Sequence, residues 1–209
     1  MARKKKETVV ENNNEIATIE EIVLRAGSDD VATFGGIFEG GVHIQQIPDE
    51  IIPCIAAIEG NIESYLEIGV AAGGTTYLFN KFFQPGKIVL IDDNKHHKTH
   101  LRASILEGIK YTELIGLSSD ESIVDKVKDY APFDIIFIDG NHDYPNVKCD
   151  VETYLPMLKG YLLLHDSAVE EWGVVRVVRE LKNNPSLKFI GEYKSKTMRP
   201  LGLALFRKV

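Results

Sequence analysis

Residues Tyr65 to Asp93 read YLEIGVAAGGTTYLFNKFFQPGKIVLIDD, and this stretch decides the fold. Tyr65, Leu66, Ile68 and Val70 make a short apolar run interrupted by Gly69 and closed by Gly73-Gly74. An amphipathic segment follows, then the breaker Pro85-Gly86, then a second apolar run, Ile88 to Ile91, which stops on Asp92 and Asp93. Strand, glycine turn, helix, turn and strand in that order form the first βαβ unit of an open parallel sheet. Glycine lets the backbone bend sharply and approach a ligand where a Cβ would clash. In such sheets an acid about 20 residues further on grips a ribose, one carboxylate accepting from two hydroxyls.

The glycine spacing selects the ligand. A dinucleotide loop reads G-x-G-x-x-G and seats a pyrophosphate on the helix N-terminus. Here Glu67-Ile68-Gly69-Val70-Ala71-Ala72-Gly73-Gly74-Thr75-Thr76 places an acid inside the strand and lacks the second close glycine. This resembles the first motif of class I S-adenosylmethionine (SAM) dependent methyltransferases, E-x-G-x-x-x-G-x-[ST]. The resemblance implies SAM as cofactor, with Glu67, Gly69, Gly73 and Thr75 in its loop and Asp92 on its ribose. SAM has no phosphate, so the loop receives only ribose, amino and carboxylate groups. Glu67 then takes the ammonium side or braces the loop, and amides near Gly73 and Thr75 face the carboxylate. The alternative is a plain glycine turn in another α/β protein.

The 209 residues suit one α/β domain with a substantial core. Hydrophobic content of 44% and charged content of 26% are ordinary for a globular chain. No apolar run approaches the ~20 residues of a membrane span, and no signal peptide is visible, so a cytoplasmic protein away from membranes is expected. Cys54 and Cys149 lack metal-ligand spacing and read as free thiols in a reducing compartment. The net charge of −7 becomes more negative still once Arg3, Lys4, Lys5 and Lys6 are set aside. Such a body repels a phosphate backbone, so nucleic acid is not an expected partner.

Residues 1–14 read as a disordered basic and polar arm. Residues 15–60 read as an N-terminal helical cover: a helix over Glu15–Ala26, a glycine-rich loop over Ser28–Gln46, and a helix from Pro48 to Gly60. Residues 61–209 read as the SAM-binding domain. Its expected helices start at Thr75, His97, Glu121, Pro145 and Val174. Its expected strands are Tyr65–Val70, Ile88–Ile91, Tyr111–Ile115, Phe133–Ile138, Tyr161–Leu164, Leu187–Tyr193 and Leu201–Phe206. The continuous apolar FDIIFI of Phe133–Ile138 is typical of a strand buried on both faces. The fold expected is a doubly wound, seven-stranded, mostly parallel α/β sheet, Rossmann-like, with an antiparallel last strand.

Ligands of open parallel sheets bind outside the carboxyl ends of the strands. The strands here end repeatedly on acids, at Asp92, Asp139 and Asp166, with Asp120 just after the third; the alternative for each is a helix cap. Asp93 is the nearest competitor of Asp92 for the ribose. Ser118-Ser119-Asp120 resembles the acidic turn that meets the adenine amino group in the family, which puts Ser119 and Asp120 in the cofactor site; Asp120 as N-cap of the next helix is the other reading. The segments Ile138–Tyr144 (IDGNHDY) and Leu164–Ser167 (LHDS) carry a narrower resemblance, to the small-molecule O-methyltransferases of the catechol, macrocin and sugar type.

That resemblance implies strand-end acids holding a divalent cation. Asp139 and Asp166, on neighbouring strands ~4.8 Å apart, would converge on Mg²⁺ or Mn²⁺. The chain departs from the family at the third ligand, where His165 or Ser167 stands. A mixed site of Asp139, His165 and Asp166 is one reading; a capping Asp166 beside a structural His165 is the other. His142 is the expected general base, and Asp139 joins it as a catalytic and cofactor-side acid. Tyr144 either lines the acceptor pocket or simply enters its helix, while His96, His97 and His100 read as a solvated face. The expected function is SAM-dependent methyl transfer to a hydroxyl of a small-molecule acceptor, metal-assisted or not. The rivals are a metal-independent N-, side-chain or glycan methyltransferase and a non-catalytic SAM-binding domain. A homodimer is left open.

Overall fold

The computed structural model describes residues 10–12, 15–17, 44, 46–196 and 200–209. Two short strands, β1 (Val10–Asn12) and β2 (Glu15–Ala17), pair as an antiparallel ribbon. Glu15–Ala17 is therefore extended, not the start of a helix; β-branched Ile16 suits a strand, and pairing with β1 outweighs the helical spacing. The remainder of the expected helix, the expected arm up to residue 9 and most of the expected loop over 28–46 lie outside the described residues.

The main sheet contains β3 (Ser64–Ile68), β4 (Lys87–Asp92), β5 (Thr112–Ile115), β6 (Phe133–Ile138), β7 (Leu158–His165), β8 (Leu187–Tyr193) and β9 (Leu203–Lys208). These seven strands run in the order β5-β4-β3-β6-β7-β9-β8. The pairs from β5 to β7 are parallel, and β9 is antiparallel to both β7 and β8. The chain winds outward from β3 in both directions, so the switch in strand order lies between β3 and β6. That is where such sheets open a ligand crevice.

Alternation along the strands builds two cores. Leu66, Ile68, Ile136, Ile138, Leu162 and Leu164 face one way, against α4 (Glu121–Lys128), α5 (Tyr144–Tyr154) and α6 (Gly173–Leu181). Tyr65, Leu90, Ile135, Phe137 and Leu163 face the other, against α1 (Pro48–Ala56) and α2 (Gly74–Phe83). Burying one such large side chain contributes roughly 1.5–3 kcal/mol. The helix expected from His97 to Glu107 is reduced to a 3₁₀ turn, Thr99–Leu101, and a short α3, Arg102–Ile105. Arg102 is the buried residue of α3, and Ile105 and the following Leu106 pack on the second core, so a charge and an apolar edge anchor this segment together.

Helix α1 is fastened to the far end of the chain. Glu50 is fully buried and its carboxylate accepts the amides of Ser195 (2.7 Å), Leu201 (3.2 Å) and Gly202 (2.9 Å). Asp49 accepts from the Ser195 hydroxyl and the Lys196 amide, each at 3.0 Å. Burial raises the Glu50 pKa, partly offset by the amides of Ser195 and Gly202. This clip holds the connection between β8 and β9 across the carboxyl ends of the strands.

Candidate active site

A cleft of about 600 Å³ opens at those strand ends, within the range of small-molecule sites. Gly69, Ala71, Asp92, Asp93, His96 and the turn Gly116-Leu117-Ser118 line one end; Asp139, Asn141, His142, Asp166, Trp172 and Leu201 line the other.

At the first end the glycine loop is built as its spacing requires. Gly69 has φ +82°, and a Cβ there would sit 2.1 Å from the Asp139 carbonyl oxygen. The loops after β3 and β6 therefore meet backbone to backbone. Gly73 has φ +87°, precedes α2, and donates its amide to the Val70 carbonyl at 2.8 Å. Asp92 lines the cleft while holding the loop: its Oδ2 accepts the amides of Val70 (2.7 Å) and Ala71 (2.9 Å), and its Oδ1 that of Asn94 (2.7 Å). The acid expected on the ribose is thus also the brace of the glycine turn. Asp93 lines the cleft too, paired with Lys95 at 2.9 Å.

Glu67 lies away from the main cleft. Its carboxylate accepts the Tyr65 hydroxyl at 2.8 Å and the Thr76 hydroxyl, bracing the first turn of α2. Burial pushes its pKa up to about 8 against the hydroxyl bonds. With Thr75 it borders a smaller recess behind the loop, which also touches Asp139. Ser119 and Asp120 do not line the cleft; both are exposed, and Ser118 faces it instead. Asp120 occupies the N-cap position of α4 without a capping side-chain hydrogen bond; its Oδ2 accepts the amide of the preceding Leu117 at 3.1 Å. Ser118 is held from behind, its hydroxyl donating to Asp150 and its carbonyl accepting from Tyr154 at 2.6 Å. His96 borders the cleft rather than a solvated face, its ring tilted 38° against that of His97 with centroids 4.5 Å apart.

At the second end, two imidazoles share two carboxylates. His142 Nε2 stands 2.9 Å from Asp166 Oδ2, and His165 Nδ1 lies 3.0 Å from Asp139 Oδ1 and 3.2 Å from Asp166 Oδ2. Burial opposes a charge on His142, but the bond to Asp166 outweighs it and its pKa is raised. His165 is raised well above the usual imidazole range, since burial is overcome by Asp139 and Asp166. For Asp166 burial acts upward, yet the two histidines bring its pKa down to about 2. Asp166 also holds φ +60°, a left-handed conformation rare outside glycine and frequent at functional sites.

Ligand atoms of Asp139, His142 and Asp166 lie within 4.8 Å of one another. His142, and not His165, completes the trio. The Nδ1 of His165 is spent on the two acids, and its Nε2 is buried without a hydrogen-bond partner among the described residues. Ser167 is buried, its hydroxyl likewise unbonded there. Tyr144 points away from the cleft, donating to Glu180 Oε1 at 2.9 Å beneath the Arg176 guanidinium.

The loop that carries His142 is shaped locally. Asn141 Oδ1 accepts the Asp143 amide at 2.7 Å, and the His142 carbonyl accepts the Gly173 amide at 2.9 Å. Trp172 then stacks on the imidazole, with centroids 4.0 Å apart and an interplanar angle of 6°. The sequence reading missed Trp172, Ser118, Arg102 and Gln46, whose Nε2 donates to Asp139 Oδ2 at 3.3 Å. Of these, Ser118 alone carried a local signal, as a neighbour of Ser119 in the same turn.

Residues 66–167, which hold every acid and histidine of this cleft, match the family model described as a methyltransferase domain. No curated protein matches the chain. Among solved structures, the O-methyltransferase of Bacillus cereus in complex with SAH aligns with a TM-score of 0.59 at 18% identity, covering 71% of this chain and 74% of that one. TomG from Streptomyces achromogenes, an O-methyltransferase involved in tomaymycin synthesis and in complex with SAM, gives 0.60 at 17%, covering 71% and 74%. MycE, a methyltransferase of the mycinamycin pathway in complex with Mg, SAH and mycinamycin VI, gives 0.51 at 19%, covering 71% of this chain and 45% of that one. At these identities the likeness is one of fold. Residues 66–167 thus match a methyltransferase domain in sequence, and the seven-stranded sheet around them has the fold of these methyltransferase structures.

Proposed function

We propose that the protein methylates a hydroxyl of a small molecule, with His142 as general base and Asp166 holding it in place. The observation that carries this is the meeting of Asp139, His142 and Asp166 at one end of the cleft that the glycine loop borders at the other. Bound SAM supplies a sulfonium that makes its methyl electrophilic. Asp92 takes the ribose, and the turn Gly116-Leu117-Ser118 borders the adenine. His142, fixed between Asp166 and Trp172, accepts the proton of the acceptor hydroxyl. Holding the acceptor in line contributes several kcal/mol to such a displacement, up to about 7–11 in well-oriented systems. Residues 15–60 serve as a cover on the acceptor side, with Gln46 reaching Asp139 and α1 clipping the loop that carries Leu201. Free Cys54 and Cys149 suit a reducing cytoplasm.

A second reading rests on the same trio as a cation site. Two carboxylates and one imidazole suit Mn²⁺ or Mg²⁺, and MycE binds Mg. A cation there would supply Lewis acidity that lowers the pKa of the acceptor hydroxyl. In that case Asp139, His142 and Asp166 are its ligands, and His165 keeps the two acids oriented. Methyl transfer from labelled SAM to a panel of phenols and sugars, assayed before and after EDTA and with Mn²⁺ or Mg²⁺ restored, tests both. Transfer that survives EDTA and vanishes in His142→Ala supports the base; transfer that EDTA abolishes and metal restores supports the cation. Transfer to amines but not to hydroxyls overturns the hydroxyl assignment.

A further inference from the structure

We propose that Arg102 is a positioning residue for SAM: it fixes the ribose-side wall of the site from behind, without touching the cofactor. The inference rests on SAM occupying the cleft end bordered by Asp92. Arg102 opens α3, is 3% exposed, and is not among the residues that line the cleft.

Its guanidinium reaches the glycine loop, the turn after β4, and β5. Nε donates to the Ala71 carbonyl at 2.9 Å, on the glycine loop. Nη1 donates to Asn94 Oδ1 at 2.8 Å, in the turn after β4, and to Glu113 on β5. Nη2 stands 3.1 Å from Asp92 Oδ1, close in charge though not aligned as a hydrogen bond. The aliphatic stem packs beneath the end of the loop, where a Cβ on Gly73 would come 3.2 Å from Arg102 Cγ.

Two of these partners hold strained backbone. Ala71 has φ +46° and Asn94 φ +58°. Non-glycine residues keep that conformation only where their surroundings over-determine it. Both flank Asp92, whose carboxylate accepts the amides of Ala71 and Asn94. One rigid fork thus ties down the strained residues whose amides aim the ribose acid. A buried charge network is weak evidence of stabilisation in itself, since desolvation offsets much of the attraction. A role in specifying geometry accounts better for its burial, and lysine, a single point charge, cannot reproduce the fork.

The test is calorimetric titration of the full chain with SAM and with S-adenosylhomocysteine, well below the melting temperature of each variant. Arg102→Met is expected to weaken both ligands about tenfold or more, the size of one charge-assisted hydrogen bond. Arg102→Lys should recover only part of this, and Glu113→Gln should show a smaller loss. A merely structural arginine would lower the melting temperature and leave the affinity of the folded protein unchanged; that result overturns the proposal. If Arg102→Met does not fold, Arg102→Lys and Glu113→Gln decide, and wild-type affinity in both overturns it equally. Wild-type protein that binds neither ligand would instead break the cofactor assignment on which the inference stands.

Discussion

The two ends of the cleft are held by different means. The proposed nucleoside end is fixed by the amides of Val70, Ala71 and Asn94, which all donate to Asp92, and by the buried Arg102 fork behind them. The proposed acceptor end is fixed by imidazole–carboxylate contacts in shared pairs, His142 and His165 dividing Asp139 and Asp166 between them. Amides cannot titrate, so the first end has one arrangement ready before the cofactor arrives. Imidazole–carboxylate pairs can take up a proton or exchange a partner, which is what the proposed removal of a hydroxyl proton requires. Preorganisation and reactivity are thus placed at opposite ends of one crevice, and Gly69 is where they touch.

The largest expected effect breaks the acceptor end alone. His142→Ala should lower turnover by ~10²–10⁴, the usual contribution of a positioned base, while calorimetry finds SAM affinity unchanged. A parallel loss of SAM affinity would show that the ends are not separable. Gly69→Ala should disturb both, because its methyl falls 2.1 Å from the Asp139 carbonyl and its φ is +82°. Denaturant melts should show a loss of roughly 2–4 kcal/mol, combining left-handed strain with overpacking. A Gly69→Ala protein of normal stability and activity would mean that the contact is dispensable.

Asp92→Ala should weaken SAM binding about tenfold or more, with the residual turnover at saturating SAM closer to normal than in His142→Ala. Unchanged affinity would move the ribose to Asp93. The smallest effect concerns pH. Glu67 has a folded pKa of about 8, above its ordinary value of 4.5. A folded state that holds its proton more tightly than the unfolded chain is most stable below the unfolded value, and loses that advantage as pH climbs toward the folded one. Wild-type melting temperature should therefore fall between about pH 5 and 8, and Glu67→Gln, which cannot ionise, should fall less. Equal slopes would remove Glu67 as the source.

The sheet was legible because its signals are local. The apolar run of β6, the breaker Pro85-Gly86 and the stripe Val174, Val177, Val178 and Leu181 report their own burial, and each forms the element expected. The glycine loop was legible because only glycine tolerates the approach to Asp139. The sharing of partners was not. Nothing in Leu164-His165-Asp166 tells which way an imidazole turns, and the His165 ring turns onto two acids while His142 completes the trio. Ser118 rather than Ser119 faces the cleft because Asp150 and Tyr154 on α5 draw it in, a contact 32 to 36 residues away in sequence. Arg102 carried no signal of its own in the sequence, because the turns at Ala71 and Asn94 that close around it are distant or irregular. The short strand at Glu15–Ala17 was hidden by isoleucine spacing that two kinds of element can share.

The clip made by Glu50 joins amides 145 to 152 positions further along the polymer. Loops that long are entropically slow to close, whereas the β3–β4 pairing with its crossover helix needs only neighbouring stretches. During synthesis the glycine loop that we propose holds the nucleoside can therefore mature while the last strands are still being made, and the Glu50 clip is latched at the end. Pulse-labelled hydrogen exchange would read this order directly, with the Gly202 amide gaining protection after that of Val70.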